Sequence, residues 1–393
     1  MDRTPVAADP AVRLSLYLSL AFLASGVAMP FLPRWLEAER GLTGLEIGAV
    51  LSSAALARLV TAPLLGAWID GFADRALPLR LLPAGALLAF LAFWSSHGFW
   101  ALFAAGFVAS TLAAALTPIA EGAILRASAA GGLPYGVGRA FASATFILGN
   151  VGGGLLVARF GADVAIAWVV ASYGLTFLAS FSLARDPAPR AAQSASYRAR
   201  LVQIGALLRN RRYVLAIVGC GLIQAGHAFY YGFSTLVWEK QGISASFTGL
   251  LWAVGVLVEI GFLAALPAIE RRMRPEMLAL IGAGAGVVRW SLFALAPPAA
   301  LIIPLQALHA LTFAAAHVGA VRIVQRETPE HAAASGQTLY AALASGTFMG
   351  VASIGSGALY DTVGVHGYWA MAGLALAGGL LIAHMMHREK NQA

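Results

Sequence analysis

The sequence predicts an all-α membrane protein with twelve transmembrane helices in two six-helix bundles and both termini cytoplasmic. Three observations carry this. The 393 residues are 59% hydrophobic and only 11% charged, with a mean hydropathy of +0.76, whereas soluble domains carry about 25% charged residues. Twelve apolar segments can each cross about 30 Å of hydrocarbon, which takes about 20 helical residues. Residues also recur at an offset of 201, pairing Ala24 with Ala225, Gly41 with Gly242, Gly48 with Gly249 and Arg58 with Glu259. Glycine and alanine are common enough here for chance identity, so the topology must make these matches meaningful.

The segments are 13–36, 45–69, 79–96, 99–125, 136–158, 163–184, 213–236, 247–268, 278–295, 300–325, 335–360 and 367–386. Lipid offers no hydrogen bonds to a bare backbone, so each must close its own bonds as a helix. The first follows Arg3 and Arg13 and contains Ala24-Ser25-Gly26, features also found in a cleaved secretory signal. It runs longer than a signal core, and its counterpart at 213–236 cannot be one. Between the sixth and seventh segments, residues 186–212 open with Asp186-Pro187-Ala188-Pro189, carry Ser194 and Ser196 and are rich in arginine. This is a cytoplasmic linker joining a first bundle, 12–185, to a second, 213–386.

Basic residues resist translocation and mark cytoplasmic loops. With both ends inside, Arg3, Arg13, Arg75, Arg80, Arg126, Arg139, Arg185, Arg190, Arg198, Arg200, Arg209, Arg211, Arg212, Arg271, Arg272, Arg274, Arg326, Arg388 and Lys390 lie at the cytoplasmic face. Arg34, Arg40, Arg159 and Lys240 fall outside, and Arg58, Arg289 and Arg322 lie within spans. This distribution explains the net charge of +8 without nucleic acid as a partner. A second internal match, offset by 203, pairs Gly154, Leu156 and Gly161 with Gly357, Leu359 and Gly364.

The run Gly149-Asn150-Val151-Gly152-Gly153-Gly154 is not followed by Gly-Lys-Ser/Thr, so it is no phosphate loop. Small residues let helix backbones approach in lipid, and that need accounts for the 43 glycines. Cys220 is the single cysteine, which excludes disulfides within the chain and thiolate metal cages. His309 and His317 are two helical turns apart, a poor start for a metal site, and no Gly-x-Ser-x-Gly elbow sits between a strand and a helix. No catalytic residue, metal or cofactor is expected.

Charges inside a bilayer are costly and mark pathways or paired groups. Glu121 and Arg139 fall at comparable depth near the cytoplasmic ends of spans four and five. Ser110, Thr117 and Glu121 share one helix face, and Arg139, Ser143, Phe146 and Asn150 share another. Alternatively, Arg139 snorkels to the interface. Glu259 lies mid-span in segment eight and Arg289 at similar depth in segment nine. Gln306, His309, Phe313 and His317 occupy an arc of about 80° in segment ten, and His227, Tyr230, Tyr231, Ser234 and Trp238 about 100° in segment seven. Such arcs can line a cavity, although a buried histidine can equally be a packed, hydrogen-bonded one.

At these residues the chain resembles the bacterial 3-phenylpropionate permease family of the major facilitator superfamily. Ala225-Gly226-His227-Ala228-Phe229-Tyr230-Tyr231-Gly232-Phe233-Ser234, Gly286-Val287-Val288-Arg289-Trp290 and Leu308-His309 carry the resemblance, with Leu56-Ala57-Arg58, Tyr135-Gly136-Val137-Gly138-Arg139 and Val258-Glu259. More distantly the chain is similar to the lactose permease (oligosaccharide:proton symporter) group. That similarity implies that Glu121 and Arg139 hold substrate, that Glu259 is a further acid, and that Arg289 and His309 belong to the proton machinery. Thr312 stands where that group has a glutamate, which makes Glu259 the leading proton carrier and His309 the second candidate. Gly66 and Asp70 match the superfamily's loop after span two, although Gly71 replaces its arginine. Gly357, Leu359, Asp361 and Gly364 match a pattern at the end of span eleven. These two motifs imply gating and packing.

The expected function is secondary active transport: proton-coupled import of a small organic molecule, best an aromatic carboxylate such as 3-phenylpropionate, by alternating access. Substrate binding falls to Arg58, Glu121, Arg139, His227, Tyr230 and Tyr231, proton coupling to Glu259, Arg289, His309 and His317, and gating to Gly66, Asp70 and Asp361. Arg58, Glu121, Arg139, Glu259 and Arg289 are expected to project into an aqueous chamber. The partners are substrate, protons and the lipid bilayer, with a proton gradient as driving force, in a monomer of the bacterial inner membrane. A sugar or nucleoside proton symporter is the alternative, and a non-transporting membrane sensor or scaffold the alternative of another class.

Overall fold

A computed structural model describes residues 9–187 and 197–390. Arg3, Arg190, Ser194 and Ser196 lie outside the described residues, as do the side chains of Asp70, Arg198, Arg200 and Lys390. The described chain is helical, and its one isolated β-bridge joins Asp74 to Pro187. Two compact units emerge: Met1–Gly41, Val60–Ala191 and Ala245–Leu250 form one, and Leu42–Leu59, Ala192–Ser244 and Leu251–Ala393 the other.

The first unit contains α1 (Pro10–Arg40), α3 (Ala76–Ser95), α4 (Phe99–Ala129), α5 (Tyr135–Phe160), α6 (Asp163–Ser180) and the second part of α2 (Gly44–Asp70). Asp9 starts α1 by accepting from Ala11 N at 2.8 Å, with Pro10 in the first turn, where its missing N–H costs nothing. The α1 helix lies along α5 and α6, and α3 along α4 and α6. The α1–α5 crossing is closed by Gly26 and Gly149: a Cβ on Gly149 would come 3.0 Å from the Gly26 Cα. Asp163 Oδ1 accepts from the indoles of Trp35 and Trp94, each at 3.0 Å, tying α1 and α3 to the start of α6.

The second unit contains α7 (Tyr197–Arg209), α8 (Arg211–Ala225), α9 (Ala228–Lys240), most of α10 (Ala245–Glu270), α11 (Pro275–Ala294), α12 (Ala299–Ala307), α13 (Ala316–Glu327), α14 (Ala333–Ala341), α15 (Met349–Val363) and α16 (Tyr368–Lys390). π-Helical turns Ala310–Ala315 and Ala342–Phe348 join α12 to α13 and α14 to α15. Buried Tyr213, Ile217, Ile223, Ala320 and Ile382 form its core. One end is tied by ion pairs: Arg212 to Glu327 at 3.0 Å, Arg322 to Glu270 at 2.8 Å, and Arg326 to the fully buried Glu276.

Several sequence expectations change in detail. Ten helices are long and apolar enough to cross a membrane among the described residues, or eleven if the bent pair Gly44–Arg58 and Val60–Ile69, at 59°, is one span. Twelve separate segments were expected. The bend removes span two from the simple count, and spans eleven and twelve run on through Gly364–Gly367 as one 54-residue helical stretch, Ser335–Arg388. The linker is also not featureless. Its second part is α7, which buries Leu207 in the second unit's core and accepts the Ser335 hydroxyl on Gln203 Oε1 at 2.9 Å.

The repeated glycines acquire a physical reason. Gly41 and Gly242 both have positive φ, +67° and +81°, and terminate α1 and α9; Gly161 and Gly364, at +91° and +55°, terminate α5 and α15. Only glycine enters that region without strain. Gly154 and Gly249 close the contact of α5 with the start of α10, and Gly48 and Gly357 that of α2 with α15. Asp361 adds a cap, its two carboxylate oxygens accepting from Gly44 N at 2.7 Å and Leu45 N at 2.9 Å. Asp361→Ala strands both amides and is expected to lower unfolding free energy by about 1 kcal/mol. Thermal unfolding in detergent checks this, with Asp361→Asn keeping part of the effect; an unchanged melting curve for the alanine variant would contradict the capping role.

Candidate functional site

The second unit concentrates its buried polar chemistry where two spans lose regularity. Span seven breaks between α8 and α9 at Gly226-His227, and span ten widens through the turn Ala310–Ala315. A π-turn inserts a residue and shifts the face presented by all that follow, a feature common at functional sites. Arg289 enters from α11, and Glu259 from α10.

Arg289 is 0% exposed. Its Nη2 donates to Gln306 Oε1 at 2.5 Å, and its Nη1 to Thr312 Oγ1 at 3.0 Å and to His309 Nδ1 at 3.2 Å. Gln306 Nε2 donates in turn to Tyr230 OH and to the Leu251 carbonyl, both at 2.9 Å. The guanidinium carbon lies 4.6 Å from the Trp290 ring, 4.8 Å from Tyr230 and 5.6 Å from Phe293. None of these direct partners is a carboxylate. Stranding a charge away from water is costly, and here neutral acceptors and ring faces offset that cost; a desolvated cation over an aromatic ring contributes about 2 kcal/mol.

The network fixes both histidine tautomers, because a guanidinium has only donors and a carbonyl only accepts. His309 Nδ1 must accept from Arg289, so its proton sits on Nε2, which faces Glu259 Oε2 at 3.7 Å. That distance is longer than a hydrogen bond but short enough for strong electrostatic coupling. His227 has the opposite tautomer: Nδ1–H donates to the Gln224 carbonyl at 3.1 Å, and Nε2 accepts the Thr312 hydroxyl at 3.2 Å. The same hydroxyl has the His309 carbonyl at 3.3 Å as its other acceptor. His309, Phe313 and His317 stack with ring planes within 5°, and His317 Nδ1 meets Gln224 Nε2 at 3.5 Å. Tyr231 stacks on His227 at 5.6 Å.

In the first unit, Glu121 Oε1 and Arg139 Nε meet at 3.2 Å, with side chains 27% and 38% exposed. Arg139 also reaches Ser143 Oγ at 3.3 Å and lies 4.5 Å above the Phe22 ring. The two residues are therefore partners, and Arg139 does more than snorkel. Arg58 belongs to the second unit; it is half-buried on α2, where a Cβ on Gly346 would come 3.7 Å from its own Cβ. Gly66 has open space around its Cα.

The structure thus joins His227 and Tyr230, expected to bind substrate, to Arg289 and His309, expected to move protons, in one network. Arg289 does not project into water as anticipated. Gln306 and Thr312 are central to the arrangement, yet from sequence they have no role beyond a place on a polar arc and the place of a missing acid. Among the described residues no group of three or more His, Cys, Asp or Glu side chains is placed to hold a metal ion.

Residues 11–371 match the MFS_1 like family. The chain is 32% identical over 360 residues to the probable 3-phenylpropionic acid transporter of Escherichia coli (strain K12), covering 90% of this chain and 92% of that one. It is 24% identical over 385 residues to the maltose permease of Geobacillus stearothermophilus, covering 96% and 95%. The crystal structure of the nucleoside transporter NupG superposes with a TM-score of 0.85 at 17% identity, covering 96% and 99%, which shows a shared fold.

Helices long and apolar enough to cross a membrane, a family model matched over nearly the whole chain and a 32% identical transporter together identify a multi-pass membrane transporter and not an enzyme. The chain belongs to the MFS_1 like family and is a transporter of the major facilitator type.

Gln306→Leu leaves the Arg289 Nη2 and the Tyr230 hydroxyl without their shared partner. Each stranded buried group costs about 1–3 kcal/mol, so the variant is expected to unfold several degrees below the parent in detergent. An unchanged melting temperature would contradict the role given to Gln306.

Proposed function

We propose that this transporter imports a small organic anion, best an aromatic carboxylate such as 3-phenylpropionate, coupled to protons and by alternating access. The observation that carries the reading is the line Glu259, His309, Arg289. A carboxylate 20% exposed at one end of a sealed cationic network can exchange a proton with water while the network registers its charge. His309 offers Nε2–H to Glu259 and is otherwise committed to Arg289, so Glu259 is the proton carrier and His309 its positioning partner. Relatedness to the probable 3-phenylpropionic acid transporter supports the substrate class. In the first unit Arg139 is partly exposed and can trade Glu121 for a substrate carboxylate. Taken by itself, the second unit offers Arg58 as a cation and Tyr231 as a ring face.

A sugar or nucleoside substrate is the second reading. The Glu121–Arg139 pair favours it, since a carboxylate beside a guanidinium binds hydroxyls from both sides, and the similarity to a maltose permease agrees. The proposal includes twelve spans, bundles 12–185 and 213–386 about a linker at 186–212, cytoplasmic termini, a bacterial inner-membrane location, a monomeric state and no cofactor. A 54-residue helical stretch is far longer than one bilayer crossing at 1.5 Å per residue, which supports counting it twice.

Reconstitution in liposomes with an inward proton gradient tests this. The protein is expected to concentrate phenylpropionate over lactose and uridine, and Glu259→Gln to lose gradient-driven uptake by at least about tenfold while keeping substrate exchange. Wild-type accumulation by Glu259→Gln would remove that residue from coupling. Preference for lactose or uridine would favour the second reading, and no uptake of any of them would defeat both.

A further inference from the structure

A cavity of about 290 Å³ opens at one end of the first unit, where α1 and α3 begin, α4 ends and the segment after α6 returns. Its floor is apolar, with Leu14, Leu79, Ala123 and Leu183 all buried. Its rim is cationic, with Arg13, Arg126 and Arg185. Beside it Arg80 donates to the Leu183 carbonyl at 3.0 Å, and Arg13 to that of Ser182 at 2.9 Å, so neutral carbonyls hold both guanidiniums. Three carboxylates are near. Asp9 accepts from the backbone N–H groups of Ala11 and Leu133, and Asp74 from those of Ala76 and Asp186. Asp186 pairs with Arg126 at 2.7 Å, with side chains 39% and 45% exposed. A solvent-exposed pair of this kind is weak and exchangeable for a stronger anion.

The surroundings select the ligand class. Leu16, Leu77, Leu81, Leu125 and Phe181, 38–61% exposed, continue the floor onto the helix surfaces, which in a membrane transporter face acyl chains. Basic pockets between transmembrane helices at the cytoplasmic side suit anionic lipid headgroups, and guanidiniums bind phosphate bidentately. We propose that this cavity is a binding site for an anionic phospholipid, its phosphate held by Arg126 and Arg185 in place of Asp186 and its proximal chain resting on Leu14 and Leu79. The site is independent of the substrate and of proton coupling, and rests on the proposed topology that puts this end of the helices at the cytoplasmic side.

Thermal unfolding and native mass spectrometry of the purified full chain in detergent test the assignment, with phosphatidylglycerol, phosphatidylcholine, soluble glycerophosphate and inorganic phosphate as probes. Phosphatidylglycerol is expected to raise the melting temperature and remain bound, and phosphatidylcholine to do neither. R126Q/R185Q should lose at least tenfold in affinity, and Asp186→Asn should gain, which a merely damaged fold would not do. Equal effects of the two lipids, or unchanged affinity in R126Q/R185Q, would overturn the site. Stabilisation by either soluble anion at the same concentration would overturn its being a lipid site. Loss of binding in Asp186→Asn would also overturn it, because the ion pair would then only be holding the segment in place.

Discussion

A guanidinium buried among neutral acceptors is the constraint on which the second unit depends. Arg289 cannot give up its proton, so its surroundings must supply acceptors for a charge that never leaves. Gln306, Thr312, His309 and the faces of Trp290 and Tyr230 do so, and Gln306 and Thr312 are committed further by the bonds they make in turn. The same low dielectric that strengthens such a network makes its partial disruption costly. This explains why helices so apolar elsewhere carry glutamine, threonine and two histidines at one place.

The arrangement suits a transporter because its fixed part and its variable part are separated. Arg289, Gln306 and Thr312 are fully buried, whereas Glu259 sits at the margin with one side toward His309. A threonine hydroxyl accepts from Arg289 without bringing a second negative charge, which leaves Glu259 as the carboxylate that the cation senses through the imidazole. The break at Gly226-His227 and the widened turn Ala310–Ala315 are the backbone devices that turn His227, His309 and Thr312 toward one another. In the first unit Glu121 and Arg139 are a simpler pair, half open to exchange.

Much of this could be read from the residues. The 3.6-residue period put Gln306, His309, Phe313 and His317 on one arc, and the rings of the last three do stack; matched depth brought Glu121 to Arg139. The offsets of 201 and 203 found glycines that end helices or close their crossings. Other features escaped for physical reasons. Thr312 falls outside the arc drawn through Gln306, His309, Phe313 and His317, so the period gave no reason to place it in the network. The bridge from Gln306 to Tyr230 and the Leu251 carbonyl joins segments far apart in sequence through a backbone group, which no side-chain pattern reveals. Counting spans by apolar length assumed straight helices separated by loops, and the bend in α2 and the run-through at Gly364–Gly367 break that assumption. Nor could composition tell a solvated arginine from a sealed one.

The most direct measurement is solid-state ¹⁵N NMR of the protein in lipid at pH 7, with the ring nitrogens of its histidines labelled and His227 and His309 assigned by substitution. The account predicts opposite neutral tautomers: an unprotonated Nδ1 and protonated Nε2 for His309, and the reverse for His227. A protonated Nδ1 at His309, in the other neutral tautomer or in an imidazolium, would contradict it, because Arg289 would then face a donor where it requires an acceptor.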